Sequence, residues 1–153
     1  MSQQRPVALG VGLSTSIGSL PHCDPSDAVD FVVRHQPRLP AAPSLPGRSA
    51  RERMISQAAQ GIAGVEITNE GSLVITDAAL DPDAPLGAPM YTDDAWVGLR
   101  AFVTLLSERR GPVKVSLTGP VTLGVALNLA GIEGPLAFQI AGAAVRQRSR
   151  LLV

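Results

Sequence analysis

The sequence holds one cysteine, Cys23, and two histidines, His22 and His35, so it can form no intrachain disulfide and falls short of the common structural zinc patterns. Aromatic residues make up only 3% of the chain and charged residues 17%, below the usual quarter, so packing must rely on small and aliphatic side chains. Thirteen basic and thirteen acidic residues cancel, which removes the charge excess that a nucleic-acid backbone or an anionic membrane surface would call for. The apolar run after Arg5, Val7 to Leu13, is too short and glycine-rich for a secretory leader. Val115 to Ile132 carries no charge, but Gly119-Pro120 interrupts it and Ser116, Thr118, Thr122 and Asn128 dilute it. It reads as a buried strand followed by a helix, not as a membrane span. A reducing, cytoplasmic location is the expectation. The usual short signatures are missing too. There is no Walker A string, no G-x-S-x-G elbow and no H-E-x-x-H helix, and Gly10-Val11-Gly12 lacks the third glycine of a dinucleotide fingerprint, where Thr15 stands.

What the chain does have is 153 residues, 15 glycines and 13 prolines, enough for a single domain over 1–153 and too little for a complete eight-stranded βα barrel. Pro6 to Leu13 reads as a buried strand opening into Ser14-Thr15-Ser16. Asp24-Pro25-Ser26-Asp27 combines an N-cap oxygen, a proline at the first helical position and an acid in the first turn, which predicts a helix to about Gln36, where Pro37 stops it. Pro37, Pro40, Pro43 and Pro46 recur at the polyproline II period and make 37–48 a stiff proline-rich loop, with the PxxP spacing of an SH3-type ligand as the functional alternative. Ser49 to Glu52 has capping-box spacing and predicts a helix ending near Gly61. Val65 to Thr68 alternates as a strand closed by Asn69-Glu70-Gly71, and the segment through Pro89 reads as a surface loop. Thr92-Asp93-Asp94 opens an amphipathic helix with Trp96, Leu99, Phe102, Val103 and Leu106 on its buried stripe, ended by Arg109-Arg110-Gly111-Pro112. A third strand over Val113 to Thr118 and helices headed by Pro120 and Pro135 complete the order.

Strand and helix thus alternate three times, which predicts an α/β fold with a parallel layer and right-handed crossovers. The last helix runs through Arg146-Gln147-Arg148-Ser149-Arg150 without a stop signal, and three parallel strands leave open edges. The expectation is therefore a partial (β/α)8 TIM barrel, about the first three βα units, that forms a homo-oligomer through its exposed sheet edges. A self-contained three-stranded α/β domain is the alternative.

Three segments fall at the carboxyl ends of the predicted strands: Ser14 to Pro21, Glu70, and Leu117 to Thr122. In a parallel barrel that end carries the site, because the βα loops converge there. Glu70 can pair with an ammonium group and Ser19 can donate to a carboxylate, a combination that suits a zwitterionic amino acid. The same residues also serve as caps and turn formers, and spacing does not choose between the two. His22-Cys23 is read as a loop thiol whose reactivity would need an electropositive neighbourhood.

The strings Ser16-Ile17-Gly18-Ser19-Leu20-Pro21 and Leu117-Thr118-Gly119-Pro120-Val121-Thr122, with the Gly61 to Glu70 strand entry, resemble the catalytic barrel of the cobalamin-independent methionine synthase family. The proline-rich Leu39 to Gly47 loop is similar to that of actinobacterial relatives. The resemblance covers the opening, N-terminal part of that barrel. It implies an S-methyltransferase of methionine biosynthesis, moving a methyl group from methyltetrahydrofolate to the zinc-bound thiolate of homocysteine. By resemblance, Ile17, Gly18 and Ser19 hold homocysteine's polar end, with Ser19 on the carboxylate. Glu70 takes the ammonium group, and Thr118, Gly119 and Pro120 shape the mouth near the folate. The family draws its zinc ligands, a histidine, two cysteines and a glutamate, from later strands, and this chain has no H-x-C pair. The sequence also departs from the family at His22-Cys23, where Gln-Thr is usual, and at Thr68-Asn69, which precedes Glu70 where His-Gly is usual. The expectation is a chain that carries part of an amino-acid thiol pocket, binds no zinc and is inactive alone. A non-catalytic interaction module, or a relative acting on another small thiol, is the alternative.

Overall fold

A computed structural model of the chain describes residues 9–77, 80–87 and 94–152. The first helix, α1 (Pro25–His35), forms where the sequence signals converge: Asp24 Oδ1 accepts from the amides of Ser26 at 2.8 Å and Asp27 at 3.0 Å, and Pro25 fills the first turn. Its buried residues, Ala28, Val29 and Val32, face inward. The Ser49 to Glu52 signal yields only a 3-10 turn, Ala50–Glu52, because Glu52 does not reach back to cap Ser49. Its carboxylate turns instead to the Leu45 amide and the Arg48 side chain. Arg53 is extended, and α2 (Met54–Ala59) starts after it.

Val65–Ile67 forms β1 as expected, but it runs into a hairpin rather than a crossover. Its partner is β2 (Leu73–Ile75), antiparallel, with Val65 opposite Ile75 and Ile67 opposite Leu73. The turn closes because Gly71, at φ +84°, adopts the left-handed region that a short hairpin loop demands. It is tied to α2 and its N-cap by Ser56 Oγ on the Gly71 carbonyl at 2.9 Å and Arg53 Nη1 on the Glu70 carbonyl at 2.9 Å. A second 3-10 turn, Asp94–Trp96, leads into α3 (Val97–Leu105); the predicted start at Thr92 and Asp93 lies outside the described residues. Trp96, Leu99 and Phe102 are buried as expected, Leu106 is half-buried, and Val103 faces out. Pro120 then heads α4 (Pro120–Leu129) and Pro135 lies in the first turn of α5 (Gly134–Leu151).

The core has two parts. One gathers Leu123 and Leu127 of α4, Ile140 and a row of alanines of α5, and Val65 and Ile67 of β1. Ala137, Ala141 and Ala144 recur on one face of α5, and their small side chains let it lie close against α4. The other packs Val29 and Val32 of α1 against Trp96, Leu99 and Phe102, with Ala42 of the proline-rich segment.

This architecture corrects the expected fold. The chain is a small, helix-rich mixed fold, and among the described residues its one regular sheet is the two-stranded antiparallel hairpin, not the opening βα units of a barrel. The expected first strand falls partly outside the described residues, and 9–13 hold no strand. The expected parallel layer shrinks to two single bridges, Ser19 with Ser44 and Ala41 with Lys114. Proline explains the loss. Ala42 donates to Lys114 at 2.8 Å, whereas Ser44 donates to Gly18 at 3.0 Å on the other side. In an unbroken strand both amides would serve the same neighbour, so the backbone rolls over at Pro43, and neither Pro40 nor Pro43 can donate to a ladder. The three-stranded edges from which self-association was expected are accordingly not formed among the described residues. The segment Leu39 to Pro43 is buried rather than displayed as a surface ligand.

Candidate functional site

The two bridges still gather three distant segments around one cleft of about 140 Å³. Ile17 and Ser19 come from the first segment, Ala42 to Ser44 from the second, and Val115 to Thr118 from the third, with Met54, Gln57, Trp96 and Leu99 closing the remaining sides. Gly18 makes the first approach possible. Its φ is +112°, and a side chain there would press its Cβ to 2.6 Å from the Ala42 carbonyl oxygen. The volume is below the usual range for drug-sized ligands and suits a molecule of amino-acid size.

The lining is uncharged. Hydroxyls of Ser19 and Ser44 lie 3.2 Å apart, Thr118 donates to the Met54 carbonyl at 3.0 Å, and Gln57 Nε2 donates to the Ala95 carbonyl at 2.6 Å. Each oxygen of these hydroxyls keeps accepting capacity, and the Gln57 amide keeps a second hydrogen. Ile17, Met54, Leu99 and Val115 supply apolar walls. Trp96, the sole tryptophan, is only 4% exposed and borders the cleft.

Of the residues singled out from sequence, the structure brings Ile17, Ser19 and Thr118 together, with Gly18 beside them. It does not bring Glu70 to them. Glu70 sits exposed in the hairpin turn, outside the cleft lining, and the Thr68 hydroxyl together with its own backbone amide holds its carboxyl below the usual range. Gly119 and Pro120 are exposed and serve as N-cap and first residue of α4. Ser44, Gln57 and Trp96 are lining residues that sequence reasoning did not assign to a site.

A second, smaller space of about 10 Å³ adjoins the cleft, sharing Gln57, Trp96, Leu117 and Thr118, and is closed by Arg148 of α5. Arg148 is 4% exposed, and its Nη2 donates to the carbonyl of Gln60, the residue that ends α2. Its Nη1 is buried without a hydrogen-bond partner, and among the described residues no carboxylate pairs with it. Burial pushes the guanidinium down to about 10, a solvation loss worth roughly 3 kcal/mol, yet it stays a cation at neutral pH.

The donor set does not fit zinc. Cys23 is exposed, its neighbour His22 packs its ring 5.2 Å from that of Phe31, and no group of three or more His, Cys, Asp or Glu side chains comes together among the described residues. Nor is any helix among them long and apolar enough to cross a membrane. No protein-family model matches the chain, and neither a curated protein nor a solved structure matches it.

Proposed function

We propose that the chain provides an amino-acid-binding part of a thiol S-methyltransferase of the methionine-synthase kind. In this reading homocysteine is the methyl acceptor, methyltetrahydrofolate the donor and the cytoplasm the setting. One observation carries the reading: Ile17 and Ser19 of the I-G-S-L-P string and Thr118 of the L-T-G-P-V-T string, far apart in sequence, line the same cleft. The cleft's chemistry supports it. Hydroxyls and an amide offer hydrogen bonds to a polar amino-acid end, while Ile17, Met54, Leu99 and Val115 can cover a short thioalkyl chain. Glu70 has no part in binding here, and the ammonium group falls to the oxygens of Ser19, Ser44 and Gln57. Because the zinc donor set does not fit, the chain's share is binding and orientation, and no thiolate-activating step is assigned to it.

Trp96 makes the reading easy to test, since it is the one indole and it borders the cleft. Titration with L-homocysteine should change its emission saturably, and Ser19→Leu, which fills the cleft, should abolish the change while leaving the far-ultraviolet circular dichroism intact. An emission unaltered into the millimolar range would refute the proposal.

A further inference from the structure

Among the described residues, Arg148 is the one arginine that is both buried and left with an unpartnered guanidinium nitrogen, and it closes the small space beside the cleft. Two features fix it there. Ala137, Ile140, Ala141 and Ala144 set the buried face of α5, and Arg148, four residues beyond Ala144, continues that face inward. The Gln60 carbonyl at the end of α2 then holds Nη2, which aligns the planar fork and leaves Nη1 unused. Such an arrangement is expensive unless something completes it, because buried cations are ordinarily paired and buried donors satisfied. The open guanidinium nitrogen suits a carboxylate oxygen, the anion that an amino-acid thiol carries.

We propose that Arg148 is the anion anchor of the cleft, pairing with the carboxylate of the small molecule that Ile17, Ser19 and Thr118 surround. The anchor deepens the functional reading above and rests on it for the identity of the ligand as an amino-acid thiol. The neighbouring space of about 10 Å³ admits one group the size of a water molecule, enough for a carboxylate oxygen inserted between Thr118 and Arg148. Gln57 lines both spaces, and its second amide hydrogen would serve the other oxygen. This moves the carboxylate away from Ser19, its expected partner, and frees the Ser19 and Ser44 hydroxyls for the ammonium group. A resident water in the same space is the competing account, and it makes no demand on the ligand's charge.

Three thiols separate the possibilities when titrated against the protein by calorimetry: L-homocysteine, homocysteamine, which lacks the carboxylate, and γ-mercaptobutyrate, which lacks the ammonium group. The anchor predicts that homocysteamine binds at least about tenfold more weakly than homocysteine. Arg148→Gln should weaken homocysteine by a similar factor and leave homocysteamine unchanged, and Arg148→Lys should recover part of the loss. The comparison of ligands on the unaltered protein stands even if a variant does not fold. Equal binding of homocysteine and homocysteamine, or no binding by either carboxylate, would overturn the anchor. Binding of γ-mercaptobutyrate that depends on Arg148, without binding of homocysteine, would uphold the anchor and refute the amino-acid reading.

Discussion

At the junction of the 45–52 loop with α3, the Glu52 carboxylate is 1% exposed and surrounded by donors: the Leu45 amide at 2.8 Å and Arg48 Nε at 2.9 Å. Arg48 goes on to Asp94 at 2.8 Å, and Asp94 takes the Ser49 hydroxyl at 2.8 Å, so one network pins the start of α3 to the loop. Near the end of α5, Arg148 is almost as deeply buried and has a single carbonyl. The first charge is fully partnered within the chain and the second is not. A buried ion whose partners are all supplied by its own chain is a joint, whereas a buried ion with a donor left over can still take a partner from outside the chain.

The largest effect should come from the joint. Glu52→Ala strands the Leu45 amide and removes one of Arg48's two carboxylate partners, and is expected to cost about 3 kcal/mol in chemical denaturation. Arg148→Met should do the opposite in the ligand-free protein. It removes an unpaired cation and one hydrogen bond, for a net gain of about 1 kcal/mol. If Arg148→Met destabilised the fold as much as Glu52→Ala, the contrast between the two charges would collapse and Arg148 would be a joint as well.

The contrast also explains what could be read from the sequence. Caps were legible, because Asp24 and Pro25 act through neighbours two or three residues away. The meeting of Ile17, Ser19 and Thr118 was legible as a shared mouth, although the barrel invoked to produce it is absent. The hairpin was not legible, since Leu73–Ile75 is three residues long and sits among turn formers. The proline period marked a stiff connector but gave no sign that Leu39 to Pro43 is interior. Glu70 looked like a site residue because a strand end precedes it, and it lies exposed in the hairpin turn, outside the cleft lining. Glu52 looked like half of a capping box, and tertiary partners at Leu45 and Arg48 outbid the local one. Arg148 was hidden among Arg146 and Arg150, although its spacing from Ala144 places it on the buried face.

The smallest effect concerns acid. Arg48 and the Ser49 hydroxyl hold Asp94 below its ordinary value, so the folded state binds a proton there less readily than the unfolded chain. Its contribution to stability is present above the ordinary aspartate range near pH 4 and is lost as pH falls through the lowered value. Asp94→Asn should therefore flatten the acid limb of a stability-against-pH curve only slightly, because the Asp94 carboxylate is half-exposed and its pairing is screened by solvent. An acid limb left unchanged would show that Arg48 and Ser49 do not hold the Asp94 carboxylate below its ordinary value.

Amide chemical shifts recorded during addition of L-homocysteine test the account most directly, since they report where a ligand sits without any variant. The account predicts saturable shifts at Ser19, Ser44 and Thr118 and at the Arg148 side-chain resonances, with the hairpin turn around Glu70 silent. Shifts centred on Glu70, or spread over the His22, Phe31 and His35 surface with Ser19 and Thr118 unmoved, would contradict it.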